Sequence, residues 1–324
     1  MNDVFESLKG RRVLLTGAGG MLGQHLSQAL SLAGAELYCG DLSELGGRIP
    51  VGAEKILLDI TSAGDVARVI SDIHPDWVIN AAAYTAVDDA ERNINLAFEV
   101  NAYGPGYLAR AVRDLGARMV HISSDYVYGA DDAHLESRLH YIEGDLCSPC
   151  GIYGQSKRAG DELVISALPH SGIIVRTSWL HGIYGPNFVD TIVRVASERE
   201  EIRVVNDQFG SPTWAGWLTK MILCLMQTDA SGVVHASSQG EISWYDFAKE
   251  IVRLAGLSTR VLPQTTAELG RPAKRPAFSV MNKARLEQLT GETIPDWRSS
   301  VAEHFAAKGK LSKDMSETVS AKQE

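Results

Sequence analysis

Apolar runs of three or four residues alternate with stretches of helical periodicity through the first half of the chain. Val13, Leu14 and Leu15 form the first run; glycines end it, and a helical pattern follows over 21–32. Residues 36–39 and 55–58 read as second and third strands, and 66–73 has the spacing of an amphipathic helix. A fourth run at 77–79 precedes a helix-rich stretch, 88–115; 119–122 is a fifth run and 173–175 a sixth. This alternation predicts an α/β fold, a doubly wound parallel sheet with helices on both faces. Beyond about residue 180 the pattern loosens. Glycines, prolines and tryptophans mix with shorter helical segments over 188–199, 214–226 and 243–254, which predict a smaller α/β lobe. The expected division is 1–180 plus about 205–235 in the sheet domain, and about 181–204 and 236–307 in the lobe. The last stretch, 308–324, is polar and lacks aromatics, so it is expected to be a flexible tail.

Such sheets bind ligands at the carboxyl ends of their strands. Gly17, Asp41, Asn80 and Ser124 all fall just past a predicted strand. Gly17, Gly20 and Gly23 lie between strand and helix with the spacing of a dinucleotide cradle. The first glycine permits the tight turn, the second lets backbone approach a pyrophosphate, and the third lets the helix pack closely. The helix start, at Met21 and Leu22, then offers free N–H groups and a positive dipole end. Asp41 can accept hydrogen bonds from an adenosine ribose and repel a 2′-phosphate. No Lys or Arg lies in the glycine turn, and Arg48 is the nearest downstream of Asp41, so the residues lean towards NADH. Asp59 has two readings, an adenine contact or a helix N-terminal acid before Ser62. Leu42, Ile60, Ala81, Ala82, Ala83 and Asn101 complete the expected cofactor set.

Tyr153 and Lys157 stand at i and i+4, on one face of a helix. A free phenol titrates near pH ~10, too high for easy proton exchange at neutrality. A nearby ammonium would lower that value, and Ser124 at the end of the fifth strand would polarise a carbonyl oxygen. Alone the pair is also compatible with an ordinary exposed helix face. Downstream of a glycine cradle it reads as a proton donor and its tuning cation.

The formal net charge of −9 and the pI of about 5.5 argue against a nucleic-acid or anionic-membrane surface. No apolar run is long enough to span a bilayer, and the first residues lack the apolar core of a signal peptide, so a cytoplasmic protein is expected. Cys147 and Cys150 have C-x-x-C spacing, the mark of a redox pair or half a zinc site. Without a second pair they read as loop thiols, and His134 and His140 as loop histidines; no metal is expected.

The glycine turn, Asn80-Ala-Ala-Ala, Asn101, Ser124 and Tyr153-x-x-x-Lys157 resemble the extended short-chain dehydrogenase/reductases. More narrowly, the chain resembles the dTDP-4-dehydrorhamnose reductase family. Ser123-Ser-Asp-Tyr-Val127, Arg176-Thr-Ser-Trp179, Asp207-Gln-Phe-Gly-Ser-Pro-Thr213, Trp244-Tyr-Asp-Phe-Ala248 and Pro295-Asp-Trp297 carry the likeness over roughly 12–305. The resemblance implies a Rossmann-like NAD(P)-binding domain, NADH or NADPH as cofactor, and a dTDP-linked 4-keto-6-deoxy sugar as substrate. The reaction implied is reduction of its C4 ketone, foremost dTDP-4-dehydro-L-rhamnose to dTDP-L-rhamnose. Tyr153 would donate the proton, Lys157 would tune it, and Ser124 would hold the family's Thr/Ser place. Val87, Asp125, Tyr126 and Trp179 fall where the family lines its sugar pocket, and Asn187 and Arg275 join the expected substrate set. Two departures bear on the sugar. Phe278-Ser-Val-Met281 stands where the family has an Asn-Ser-Arg-Leu type sequence, and the insert 130–141 looks individual. Alternatives are a non-catalytic dinucleotide-binding subunit, as in the methionine adenosyltransferase beta subunit, and a reductase or epimerase of another nucleotide sugar. Dehydration is disfavoured because Ser124-Asp125-Tyr126 lacks the dehydratases' Glu. A homodimer is the assembly considered; neither nucleic acid nor membrane is expected as a partner.

Overall fold

The computed structural model describes residues 6–43, 45, 49–130 and 133–320, with side chains from 7 to 311. Arg48 lies outside the described residues, as do 131–132 of the insert. Seven strands build the main sheet: β1 (Arg12–Thr16), β2 (Glu36–Asp41), β3 (Glu54–Leu57), β4 (Trp77–Asn80), β5 (Arg118–Ser124), β6 (Gly172–Thr177) and β7 (Gly232–His235). Their spatial order is β7-β6-β5-β4-β1-β2-β3, and every neighbouring pair is parallel. The order reverses where β1 pairs with both β2 and β4, which opens a crevice at the carboxyl ends of those strands.

The expected six strands are all present, each within a few residues of its apolar run. The seventh, Gly-Val-Val-His, is too short an apolar signal to declare itself. Continuous Val/Ile runs suit strands covered on both faces. One face packs a cluster that includes Leu15, Leu26, Trp217 and Leu225, and the other a cluster with Val69, Leu108 and Val164.

A third cluster, with Val189, Phe247, Ile251 and Trp297, lies among helices Phe188–Glu198 and Trp244–Leu254 and the parallel pair Glu201–Val205 and Arg260–Gln264. Within 236–307, Leu286 and Ile294 pack instead into the first cluster of the main sheet. The polar segment expected to fray is helical as far as Ser320, as part of helix Trp297–Ser320. It holds no proline and a single glycine, Gly309, and Lys308 pairs with Asp190 of the lobe. Residues 321–324 lie outside the described residues.

Candidate active site

The glycine turn is shaped by contact as much as by torsion. Gly17 has φ +68°, and a Cβ there would lie 2.5 Å from the backbone nitrogen of Ala82. A Cβ at Gly23 would lie 2.1 Å from the Gly17 carbonyl oxygen, so this glycine lets the helix close onto the turn itself. Gly20 is the N-cap of helix Met21–Leu32 and has no side-chain cap. A Cβ there would meet only the Gly17 oxygen within 4 Å. The first N–H groups of the helix are therefore open to an anion.

That helix start borders a cavity of about 790 Å³, walled further by Ala81 and Ala83 after β4, Ser124 at the end of β5 with Asp125 beyond it, and Thr177 at the end of β6. Tyr153 and Lys157 enter it from helix Ile152–Ala167. Ser124, at the end of β5, faces the same cavity as Tyr153, accepts from the Tyr126 N–H at 3.2 Å and donates to Asp125 Oδ1 at 3.2 Å. Tyr126 meets Tyr153 edge to face, ring centroids 5.4 Å apart.

Burial pushes the Tyr153 phenol up to about 12, while the nearby Ser124 hydroxyl pulls it down. This corrects the expectation that Lys157 depresses it. The Lys157 ammonium donates to the Ile122 carbonyl at 2.7 Å, and burial brings the lysine itself down to about 8. Beneath it, Arg176 Nε donates to Asp161 Oδ2 at 3.0 Å, with both side chains almost fully buried. Arg176 also reaches the Tyr128 hydroxyl at 2.6 Å, which lies 2.9 Å from His235 Nε2.

The far wall is aromatic. Trp179 lies against Trp244, ring centroids 3.5 Å apart and planes within 6°, and Phe188 packs on Trp244. Trp179 has φ +44°, a conformation that costs a non-glycine residue about 1–3 kcal/mol and clusters at functional sites. Gly210 makes room for it, since a Cβ at 210 would come within 2.4 Å of its ring. Trp179 thus packs against the third core and lines the cleft at once.

A family model described as the RmlD substrate binding domain matches residues 11–309. The chain belongs to that family. It is 37% identical over 302 residues to a dTDP-4-dehydrorhamnose reductase from Streptomyces griseus, spanning 91% of this chain and 93% of the relative. It is 36% identical over 296 residues to a dTDP-4-keto-6-deoxy-D-glucose reductase from Streptomyces niveus, spanning 91% and 96%. The crystal structure of dTDP-4-dehydrorhamnose reductase from Bacillus anthracis in complex with NADP superposes with TM-score 0.83. Identity there is 39%, over 92% of this chain and 99% of that one. The chain is an oxidoreductase resembling dTDP-4-dehydrorhamnose reductase.

Within this RmlD-family chain, Met21, Leu22, Val87, Tyr126 and Arg275 line the cavity. Asp41 accepts from the N–H groups of Gly19 (2.9 Å) and Leu42 (2.8 Å), and the Leu42 side chain is exposed. Asp59 accepts from the N–H and hydroxyl of Thr61, while Ser62 caps the following helix. Ile60 is buried in the core, and Ala82 backs the glycine turn. Asn101 sits in a π-turn, Glu99–Tyr103, and its amide bonds both backbone groups of Tyr84 and the Ser156 hydroxyl. It thereby ties the loop after β4 to the helix carrying Tyr153. Asn187 turns out to be the N-cap of helix Phe188–Glu198: it accepts from Asp190 N–H and donates to the Gly182 carbonyl. Arg275 forms a two-point ion pair with Asp88 at 3.0 and 2.9 Å and donates to the Ala273 carbonyl at 3.1 Å. Asp88 holds its carboxyl below the usual range through that pair.

Sequence reasoning missed Phe188 and the cavity role of Trp244, although the Trp-Tyr-Asp-Phe-Ala stretch was in view. It also missed Ser279, whose hydroxyl donates to Asp125 Oδ2 at 2.5 Å across 154 residues of sequence. Among the described residues no cluster of metal-ligating side chains occurs, and Cys147 and Cys150 are not joined in a disulfide. No helix among them is long and apolar enough to cross a membrane.

Proposed function

We propose that this protein reduces the C4 ketone of a dTDP-linked 4-keto-6-deoxy sugar, with dTDP-4-dehydro-L-rhamnose as substrate and dTDP-L-rhamnose as product. The observation that carries the reading is the meeting of Tyr153, Ser124 and Lys157 in one cavity with the open, uncapped start of helix Met21–Leu32. The glycine turn fits a dinucleotide pyrophosphate, because a side chain at Gly20 would fill otherwise open space at the helix N–H groups. NADP is bound by the Bacillus anthracis relative, which supports NADPH or NADH here. The bound dinucleotide would supply the hydride.

The chain's own residues do the rest. Ser124 and Tyr153 meet the ketone oxygen, and Tyr153 gives it a proton. Lys157, one helical turn from Tyr153 and lining the same cavity, would hold the bound dinucleotide. Ala81, Ala83 and the aromatic wall exclude water, and Trp179 with Trp244 gives a sugar or base a flat surface. We read the lobe around Phe188, Trp244 and Trp297 as the part that grips the nucleotide sugar, and 1–180 with about 205–235 as the dinucleotide domain.

The test is nicotinamide absorbance with purified protein, NADH or NADPH, and dTDP-4-keto-6-deoxy-L-lyxo-hexose, beside a Tyr153→Phe control. Loss of reduced cofactor in the wild type alone is the expected result. Turnover by Tyr153→Phe at the wild-type rate would overturn the proton-donor role. Tight dinucleotide binding with no turnover of this sugar would refute the substrate.

A further inference from the structure

Asp125 is the most unusual group in the cleft. Its side chain lines the cavity yet is only 2% exposed. Among the described residues no cation forms an ion pair with it; hydroxyls hold both oxygens instead, Ser124 on Oδ1 and Ser279 on Oδ2. Ser279 comes from the segment whose sequence departs from the family pattern. That segment is clamped by Phe209, whose N–H donates to the Ala277 carbonyl and whose carbonyl accepts from the Ser279 N–H. Burial without a counter-ion favours the neutral carboxylic acid. Its carboxyl is accordingly pushed up to about 7, although both serines pull it down.

The groups facing Asp125 do not supply a charge partner. Tyr126 on its own turn and Tyr153 on helix Ile152–Ala167 are neutral phenols, and Asp125 raises both. Arg275, on the segment bearing Ser279, is held by Asp88, and Lys157 is held by the Ile122 carbonyl. Ser124 thus stands between Asp125, to which it is hydrogen-bonded, and Tyr153, with which it shares the cavity wall, while Ser279 anchors the far oxygen of Asp125.

Resting on the ketone-reductase reading above, we propose that Asp125 stores the proton that replaces the one Tyr153 gives up, delivering it through the Ser124 hydroxyl. As hydride adds to the ketone carbon, the carbonyl electron pair moves to oxygen and takes the Tyr153 proton. The Ser124 hydroxyl, which at rest donates to Asp125, turns to give its proton to the phenolate and takes the carboxylic proton of Asp125 in its place. With the hydride supplied by the bound dinucleotide, one C–H and one O–H bond form on the substrate, and Asp125 is left as carboxylate until solvent reprotonates it. Asp125 acts through Ser124, so it is a positioning residue that carries a proton, and Ser279 fixes its orientation.

The carboxyl is read without substrate or cofactor. Infrared spectra of the protein labelled with ¹³C-aspartate, minus those of Asp125→Asn, are followed between about pH 5 and 9. A carboxylic-acid band that titrates near neutrality, and at higher pH in Ser279→Ala, is the expected result. Kinetically, Asp125→Asn should lose at least about tenfold in kcat and the kcat change near neutral pH, with dinucleotide Kd unchanged. A carboxyl already ionised at about pH 5 in the wild type overturns the proposal whatever the substrate proves to be. So does an Asp125→Asn enzyme with wild-type kcat and pH profile. A wild type that reduces no 4-keto sugar nucleotide sinks the functional reading instead. The band then still decides whether Asp125 holds the proton, and a Tyr153 phenol that titrates alike in wild type and Asp125→Asn overturns the link between them.

Discussion

Replacing Arg176 with methionine tests the buried ion pair beneath Lys157. The guanidinium donates to Asp161 at 3.0 Å and to the Tyr128 hydroxyl at 2.6 Å, with Arg176 4% and Asp161 1% exposed. Burial raises the Asp161 carboxyl and Arg176 opposes that shift. Removing Arg176 strands Asp161 without its main counter-ion, and breaking a buried pair this way costs about 3–5 kcal/mol. Taking about 2.1 cal/mol/K per residue over the 324-residue chain, a 4 kcal/mol loss corresponds to a fall in Tm of about 6 °C. The assay is urea unfolding of wild type, Arg176→Met, Asp161→Asn and the double variant, with Tm alongside. Since the penalty is an unpaired charge, the double variant should recover more than half of the Arg176→Met loss. A loss below about 1 kcal/mol in Arg176→Met, or a double variant as unstable as the two single losses added together, would refute the reasoning.

Asp125 gives a pH-dependent prediction with a definite sign. Its folded value lies above the unfolded one, so the unfolded chain ionises first and stability falls as pH rises from about 4 to about 7. The shift of about three units sets an upper bound of about 4 kcal/mol. Asp125→Asn should therefore be more stable relative to wild type at pH 8 than at pH 5, as read by urea midpoints; equal differences at both would count against a neutral carboxyl. Asp41→Ala removes the carboxylate beside the glycine turn and should raise NADPH use relative to NADH; an unchanged ratio of kcat/KM values places the ribose elsewhere. Trp244→Ala takes away the ring stacked under Trp179 and should raise the sugar KM about tenfold, with a smaller change in kcat. An unaltered KM would mean that the aromatic wall does not meet the substrate.

Much of this protein is written locally. Short Val/Ile runs between amphipathic helices can bury both faces only as a parallel sheet, so six strands and the residues at their carboxyl ends were legible in the sequence. The glycine spacing and the one-turn separation of Tyr153 and Lys157 are likewise local, because each depends on a turn or a helix period. What no local pattern carries is which distant groups meet. The Ser279 hydroxyl on Asp125, the Arg176 and Asp161 pair, the Arg275 and Asp88 clamp and the Trp179 and Trp244 stack join residues far apart in sequence. Burial decided the electrostatics too. Sequence placed a lysine beside a tyrosine and implied a lowered phenol. In the fold the ammonium is spent on the Ile122 carbonyl, and loss of water raises the phenol instead. The sequence by itself determined the sheet, the glycine turn and the one-turn spacing of Tyr153 and Lys157. Tertiary structure decided which of these groups lose water and which partners they meet, because desolvation and hydrogen-bond partners are properties of the packed interior.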